Sequence, residues 1–351
     1  MTPILQRMQH GKRPATLSLD LDNEWSYLKT HGDNGRWKEY PTYLDIVVPR
    51  IISVLRELNV KLTVFVVGRD AALEKNACAL RLLAREGYEI GNHSHEHDAG
   101  APQTDEHRFT AELAEAEESI TRATGTRPNG FRGPGFTASE EMLNVLAKKG
   151  YRYDASSLPT FIGPLARFYY FWMSKLTREQ RKSRRMLFGT LGHALRPIKP
   201  HYVRVNGTRL LEIPVTTTPF LRIPFHISYI LYLSTFSPAV ARSYWRMALR
   251  LCQWTRTPPS VLLHPLDFLG CDDVTTLSFV PGMNLPGSVK RARVMDYLKT
   301  FVSRFEVLPL GEFCSILEGC RGWRQASSSS HHSLKEGNTN HAHEPADTLL
   351  Q

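Results

Sequence analysis

Short apolar runs alternate along this chain with longer amphipathic segments, and that rhythm predicts a parallel α/β sheet. Strand-like runs fall at 16–21, 62–67, 88–92, 130–133, 151–155, 210–215, 261–264 and 305–308. Helical periodicity fills 49–58, 71–86, 106–124, 138–149 and 289–302, with a short helix from Glu312. Pro49 suits a first helical turn, and Thr137-Ala138-Ser139-Glu140 has the form of a capping box. Gly87, Gly125 and Gly150 stand where helix C-terminal stops belong. The fold expected is a distorted β/α barrel of seven to eight strands, interrupted by two insertions on its active-site side, 158–205 and 219–257.

The insertions change the picture most. The first opens on an aromatic stretch from Phe161 to Trp172 and runs into a basic one. Between Leu165 and Arg204 there are ten Lys or Arg against one acid, Glu179, which nearly equals the chain's formal +10. The ten are Arg167, Lys175, Arg178, Arg181, Lys182, Arg184, Arg185, Arg196, Lys199 and Arg204. Such a patch suits an anionic partner, whether lipid headgroups, a sugar diphosphate or nucleic acid, although charge runs are usually solvated loops. The second insertion holds 19 residues, 223–241, without a formal charge. A span needs ~20 predominantly apolar residues. Pro224, Pro238, His226 and several hydroxyls argue against one here. An aromatic surface beside a cationic patch fits peripheral contact with an anionic membrane, or else the two segments pack as a lid.

Residues 1–13 form an extension with no leader-like apolar stretch, which places the expected protein in the cytoplasm, with any membrane contact on the inner face. One domain spans 14–324, and 325–351 reads as a disordered polar tail. The five cysteines, Cys78, Cys252, Cys271, Cys314 and Cys320, form no Cys-x-x-Cys pair. They read as reduced, mostly buried thiols rather than disulfides or zinc ligands.

The candidate chemistry lies at strand ends. His93-Ser94-His95-Glu96-His97 follows the run 88–92, and on one helical turn imidazoles four apart would point at one spot, as a divalent metal requires. In Leu17-Ser18-Leu19-Asp20-Leu21-Asp22, alternation sends both carboxylates to one side, and Asp20 interrupts a run that otherwise looks buried. Asp20, Asp22, His93, His97, Arg132, Asp154 and His264 all fall at or just beyond the C-terminal end of an expected strand, the active face of a β/α barrel.

These residues resemble those of the polysaccharide deacetylases of the NodB homology type, carbohydrate esterase family 4. Asp20 and Asp22 stand at the first motif but depart from the adjacent aspartates that family members often have, as in a subgroup with a spaced pair, and His93, Ser94 and His97 match the His-Ser/Thr-x-x-His second motif. Arg132-Gly133-Pro134 resembles the third and Leu262-Leu263-His264 the fifth. At the fourth, Asp154-Ala155-Ser156-Ser157 lacks the family's second acid and its Trp, so Asp154 and Asp267 are both candidates to orient His264. The resemblance implies a hydrolase removing N-acetyl or N-formyl groups from an amino sugar in a polysaccharide or lipid-linked glycan, with no nucleic-acid partner. It implies Asp22, His93 and His97 as metal ligands, Asp20 as base, His264 as acid and Arg132 as the ion-pair partner of Asp20. Pro134 and His95 remain pocket candidates, and His95 could exchange roles with a neighbour. Zinc stands first as the metal, with iron(II), cobalt, nickel and manganese as alternatives for an Asp/His/His set. Three rivals are an iron(II) oxidoreductase, a non-hydrolytic glycan- or membrane-binding module, and a nucleic-acid-binding protein.

Overall fold

The computed structural model describes residues 11–31, 35–98, 105–163 and 194–319. Its strands are β1 (Arg13–Asp20), β2 (Thr63–Val66), β3 (Glu89–Asn92), β4 (Gly130–Phe131), β5 (Tyr153–Asp154), β6 (His201–Val205), β7 (Thr208–Glu212), β8 (Ser260–Leu263) and β9 (Phe305–Leu308). They form one sheet in the order β6-β7-β5-β4-β3-β2-β1-β8, with β9 also on β1. The pairings are parallel except β6 with β7. The sheet curls into an incomplete barrel. Past β7 the chain bonds Val215 N to Ser157 O and then Thr216 N to Ser260 O, so it reaches from β5 to the first residue of β8.

Alternation along β1 explains both faces of this sheet. Ala15, Leu17 and Leu19 point into the main apolar core beneath the helices. Ser18 and Asp20 point the other way, where Arg132 bonds both of them. The same period holds in β2, where Val64 and Val66 join the helix-side core while Phe65 faces the concave side with Tyr153 and Leu211. Little room is left there: a Cβ on Gly130 would stand 2.0 Å from the Tyr153 ring.

The outer layer comprises α1 (Glu24–His31), α2 (Leu44–Glu57), α3 (Gly68–Ala72), α4 (Ala77–Arg85), α5 (Glu106–Thr124), α6 (Glu140–Lys148), α7 (Ile227–Phe236), α8 (Pro238–Trp254) and α9 (Gly287–Arg304). The last helix, α10 (Leu310–Gly319), puts Leu310, Phe313, Cys314 and Leu317 against Phe65 and Tyr153 and so plugs the concave side. Its backbone is tied to strand starts, with Leu310 N donating to Thr63 Oγ1 at 2.8 Å and Gly311 N to Glu89 Oε2 at 2.8 Å.

Several local expectations are corrected. Pro49 lies inside α2, which starts five residues earlier at Leu44. The helix at 71–86 is broken into α3, a 3-10 turn and α4. The cap of α6 is Ser139, whose Oγ accepts from Met142 N at 3.2 Å, while Thr137 bonds back to the Pro134 carbonyl. Segment 219–257 is not an appendage. It forms α7 and α8, and Ile227, Ile230, Trp245, Leu249 and Cys252 join the main core. Residues 201–205, assigned to the other insertion, form β6, while its aromatic and basic stretch at 164–193 lies outside the described residues, as do residues 1–10 and the tail. Among the described cysteines Cys252 and Cys314 are buried, but Cys78 and Cys271 are exposed. No described helix is long and apolar enough to cross a membrane.

Candidate active site

Strand register assembles the site. Leu19 pairs with Leu263, so Asp20 and His264, each one residue further on, end neighbouring strands. Val66 pairs with Asn92 and Asn92 with Phe131, which sets His93 and Arg132 side by side, and Arg132 N donates to Asn92 O. Phe131 in turn pairs with Asp154. Five of the candidates thus line one edge of the sheet because each ends or just follows a strand.

Asp22, His93 and His97 converge. Their ligand atoms lie within 4.8 Å of one another, with Asp22 Oδ1 3.3 Å from His93 Nε2 and 3.0 Å from His97 Nε2. His93 Nδ1 donates to the Arg132 carbonyl at 2.6 Å, which leaves Nε2 facing Asp22. The helical premise fails, however. Residues 93–97 are a loop with Ser94 and His97 at positive φ, and it is this backbone that folds the two rings together, their centroids 5.1 Å apart. Ser94 closes the loop by accepting from His97 N at 3.2 Å, and Asn92 Oδ1 accepts from Ser94 N at 2.9 Å. Burial opposes ionisation of Asp22, but His97 and His93 outweigh it and hold the carboxyl well below its usual range. Burial likewise opposes charge on His93, and Asp20 and Asp22 nevertheless raise it. Two imidazole nitrogens and a carboxylate oxygen in this arrangement fit a divalent metal ion.

Asp20 is clamped rather than free. Arg132, fully buried, bonds Asp20 Oδ1 and Ser18 Oγ at 2.8 Å each and the Ala155 carbonyl at 2.9 Å, while its guanidinium stacks 4.5 Å over Phe65. Asp20 Oδ2 lies 4.0 Å from His93 Nε2, at the margin of the Asp/His/His group.

His95 points elsewhere. Its ring is wedged where a Cβ on Gly68 would meet Nδ1 at 2.7 Å, and Nε2 stands 3.1 Å from Glu115 Oε1 on α5 without an aligned hydrogen bond. Burial pushes it below the usual imidazole range. Of the two candidates to orient His264, Asp267 is adjacent, its Oδ2 accepting from His264 N at 2.8 Å. Asp154 is bound to Ser156 at 2.6 Å, and Ser156 holds Gly133 N at 2.7 Å, so it fixes the Gly133-Pro134 turn. Three residues beside the site escaped the sequence reading. Ser228 Oγ lies 2.9 Å from His264 Nδ1, the His226 ring is 6.0 Å from that of His264, and buried Glu212, raised first by burial and then by Asp154, accepts from Ser157 N.

Residues 39–153 match the family model described as polysaccharide deacetylase. This segment belongs to that family. Over 112 residues the chain is 34% identical to the peptidoglycan-N-acetylglucosamine deacetylase of Bacillus cereus, covering 32% of this chain and 40% of that protein. It is 24% identical over 112 residues to the peptidoglycan deacetylase of Helicobacter pylori, covering 32% and 37%. The chain therefore spans less than half the length of these curated relatives. Solved structures extend the likeness over nearly the whole deacetylase-like fold. A Mycobacterium smegmatis structure assigned as a polysaccharide deacetylase superposes with TM-score 0.59 at 20% identity, covering 93% of this chain and 96% of that one. One from Pseudomonas aeruginosa PAO1 gives 0.56 at 16%, covering 89% and 93%. At these identities they show the fold.

Proposed function

We propose that this chain is a metal-dependent amidohydrolase that removes N-acetyl groups from an amino sugar of a polysaccharide. The convergence of Asp22, His93 and His97 beside the buried Asp20–Arg132 pair carries the reading. An amide is a poor electrophile, and its amine a poor leaving group unless protonated. A divalent ion held by Asp22, His93 and His97 would acidify water and polarise the acyl oxygen. Asp20 would then take the water proton, while Arg132 holds its carboxylate in place. His264 as imidazolium gives its Nε2 proton to the departing amine nitrogen. The polysaccharide substrate is supported by the family match and by the names of the curated relatives. The test is acetate release from N-acetylglucosamine oligomers by zinc-loaded protein. Loss on dialysis against a chelator and return on adding zinc are expected. Oxygen uptake in place of acetate would favour the iron(II) oxidoreductase, and tight glycan binding without turnover the binding module.

A second reading concerns what carries the substrate. α8 has no acid, and Arg242, Arg246 and Arg250 are exposed along it. Arg304 lies close enough to Arg250 and Arg246 that, after burial, their charge lowers its own pKa. Trp254 is 75% exposed with its ring 5.9 Å from that of exposed Phe220. Cations beside exposed aromatics support contact with an anionic membrane surface. Reversing Arg242, Arg246 and Arg250 to Glu should then abolish sedimentation with anionic vesicles. Equal sedimentation of the unaltered protein with neutral vesicles would sink this reading.

A further inference from the structure

His264 needs a partner for its second nitrogen. A general acid must present one ring nitrogen to the substrate and hold the other, or the ring will rotate and the tautomer will be mixed. Asp267 Oδ2 is taken up by the His264 backbone N–H at 2.8 Å, and the atom 2.9 Å from His264 Nδ1 is the hydroxyl of Ser228 in the first turn of α7.

We infer that Ser228 is a positioning residue that relays the Asp267 carboxylate to His264, fixing its Nδ1–H form and turning Nε2 towards the scissile amide. The direction of each bond follows by elimination. Ser228 lies near enough to Asp267 to lower its pKa against the rise that burial imposes, and an ionised carboxylate can only accept. The hydroxyl hydrogen is therefore spent on Asp267, leaving Ser228 Oγ to accept, and His264 Nδ1 must be the donor. When Nε2 gives its proton to the amine, the imidazole left behind is neutral with Nδ1–H, and Ser228 and Asp267 keep their own protonation states. No charge is created inside the relay.

The surroundings support it. Asp267 and Leu266 are buried, and behind them Lys290, also buried, donates Nζ to the Leu266 carbonyl at 2.8 Å and places a positive charge near Asp267. From α7 the His226 ring faces His264 at 6.0 Å, pushed down to about 3 by burial and by His264 itself, so it adds no charge. Its ring nitrogen accepts from Tyr229 N and caps the turn that carries Ser228. Asp267, Ser228, His226 and Lys290 are thus the groups that bear on His264.

The inference rests on the proposed hydrolase reading for its kinetic consequence but not for its spectroscopic one. Ser228→Ala and Ser228→Thr should be compared, zinc-loaded, on an N-acetylglucosamine oligomer and on 4-nitrophenyl acetate. The phenolate leaves without a proton, so a fault in delivering the acid should fall on the amide. Ser228→Ala should lower kcat on the amide at least tenfold more than on the ester, with KM and metal content unchanged, and Ser228→Thr should restore most of the loss. In 15N spectra of histidine-labelled protein, His264 should carry its proton on Nδ1, and Ser228→Ala should mix the tautomers. Equal losses on both substrates, or an unchanged His264 tautomer in Ser228→Ala, would overturn the relay. Should the unaltered protein release no acetate while His264 is Nδ1-protonated through Ser228, the relay stands and the substrate assignment falls.

Discussion

His93 and His95 are two residues apart on one loop, and what separates them is where each ring is turned. His93 Nδ1 is committed to the Arg132 carbonyl, so Nε2 is available, whereas His95 is turned towards Gly68 and Glu115. His93→Ala and His97→Ala should therefore empty the metal site by elemental analysis, and His95→Ala should leave it stoichiometric. At Asp20 the prediction separates binding from turnover. Asp20→Asn should keep the metal and lose nearly all acetate release, and His264→Ala should do the same by ~10²–10⁴-fold, the usual contribution of general acid catalysis. Arg132→Met should fail differently, destabilising the fold by ~3–5 kcal/mol in urea titration, because it strands the Asp20 carboxylate without its buried partner. Near-normal turnover in Asp20→Asn or His264→Ala would remove that residue from the mechanism.

At the scale of elements, the start of α3 shows how much support lies behind the ligands. Asp70 is fully buried, and its Oδ1 accepts from Asn23 at 2.8 Å, Trp25 at 2.9 Å and Asn76 at 3.1 Å, while Oδ2 has no partner. Asn23 follows Asp22 and also accepts from Tyr43 N, so this knot fixes the turn that carries Asp22, a proposed ligand. Burial raises Asp70 from 3.8 to about 6. A carboxyl with a raised pKa binds its proton more tightly folded than unfolded, so its contribution to stability falls as pH rises from about 4 to about 6, in total on the order of 3 kcal/mol. Asp70→Asn keeps the accepting oxygen and removes the charge. Its unfolding midpoint should lose that pH dependence and exceed the unaltered protein's above pH 6, and an unchanged pH profile would show that Asp70 does not titrate there. The same scale shows what the sequence concealed. Strand ends were visible because a charge such as Asp20 breaks an apolar run. The hairpin of β6 and β7 was equally written, as Asn206-Gly207 with both residues at positive φ, but it lay at the margin of a stretch read as an insertion. α7 and α8 were hidden by Pro224 and Pro238, which do not break helices here: Pro224 precedes α7 and Pro238 opens α8. Ser228 and His226 were lost with them. The 93–97 loop has the residue spacing of a helical turn, because positive φ at Ser94 and His97 leaves no mark in the residue types.

For the whole molecule, β1 has an unusual place. It pairs with β2 through Ser18–Asp20, with β8 through Thr16–Leu19 and with β9 through Arg13–Thr16. Two of those three partners come from the far end of the chain, Ser260 against Thr16 and Phe305 against Arg13. During synthesis β1 thus waits for the much later β8 and β9 before its backbone is sheathed, and meanwhile it presents an apolar edge to any other nascent chain. A chain stopped at Arg304 would keep every proposed ligand and catalytic residue yet lack β9 and the α10 plug. It should accumulate as aggregate unless a chaperone holds it, so the vulnerable interval for this protein lies in its making rather than in its finished state.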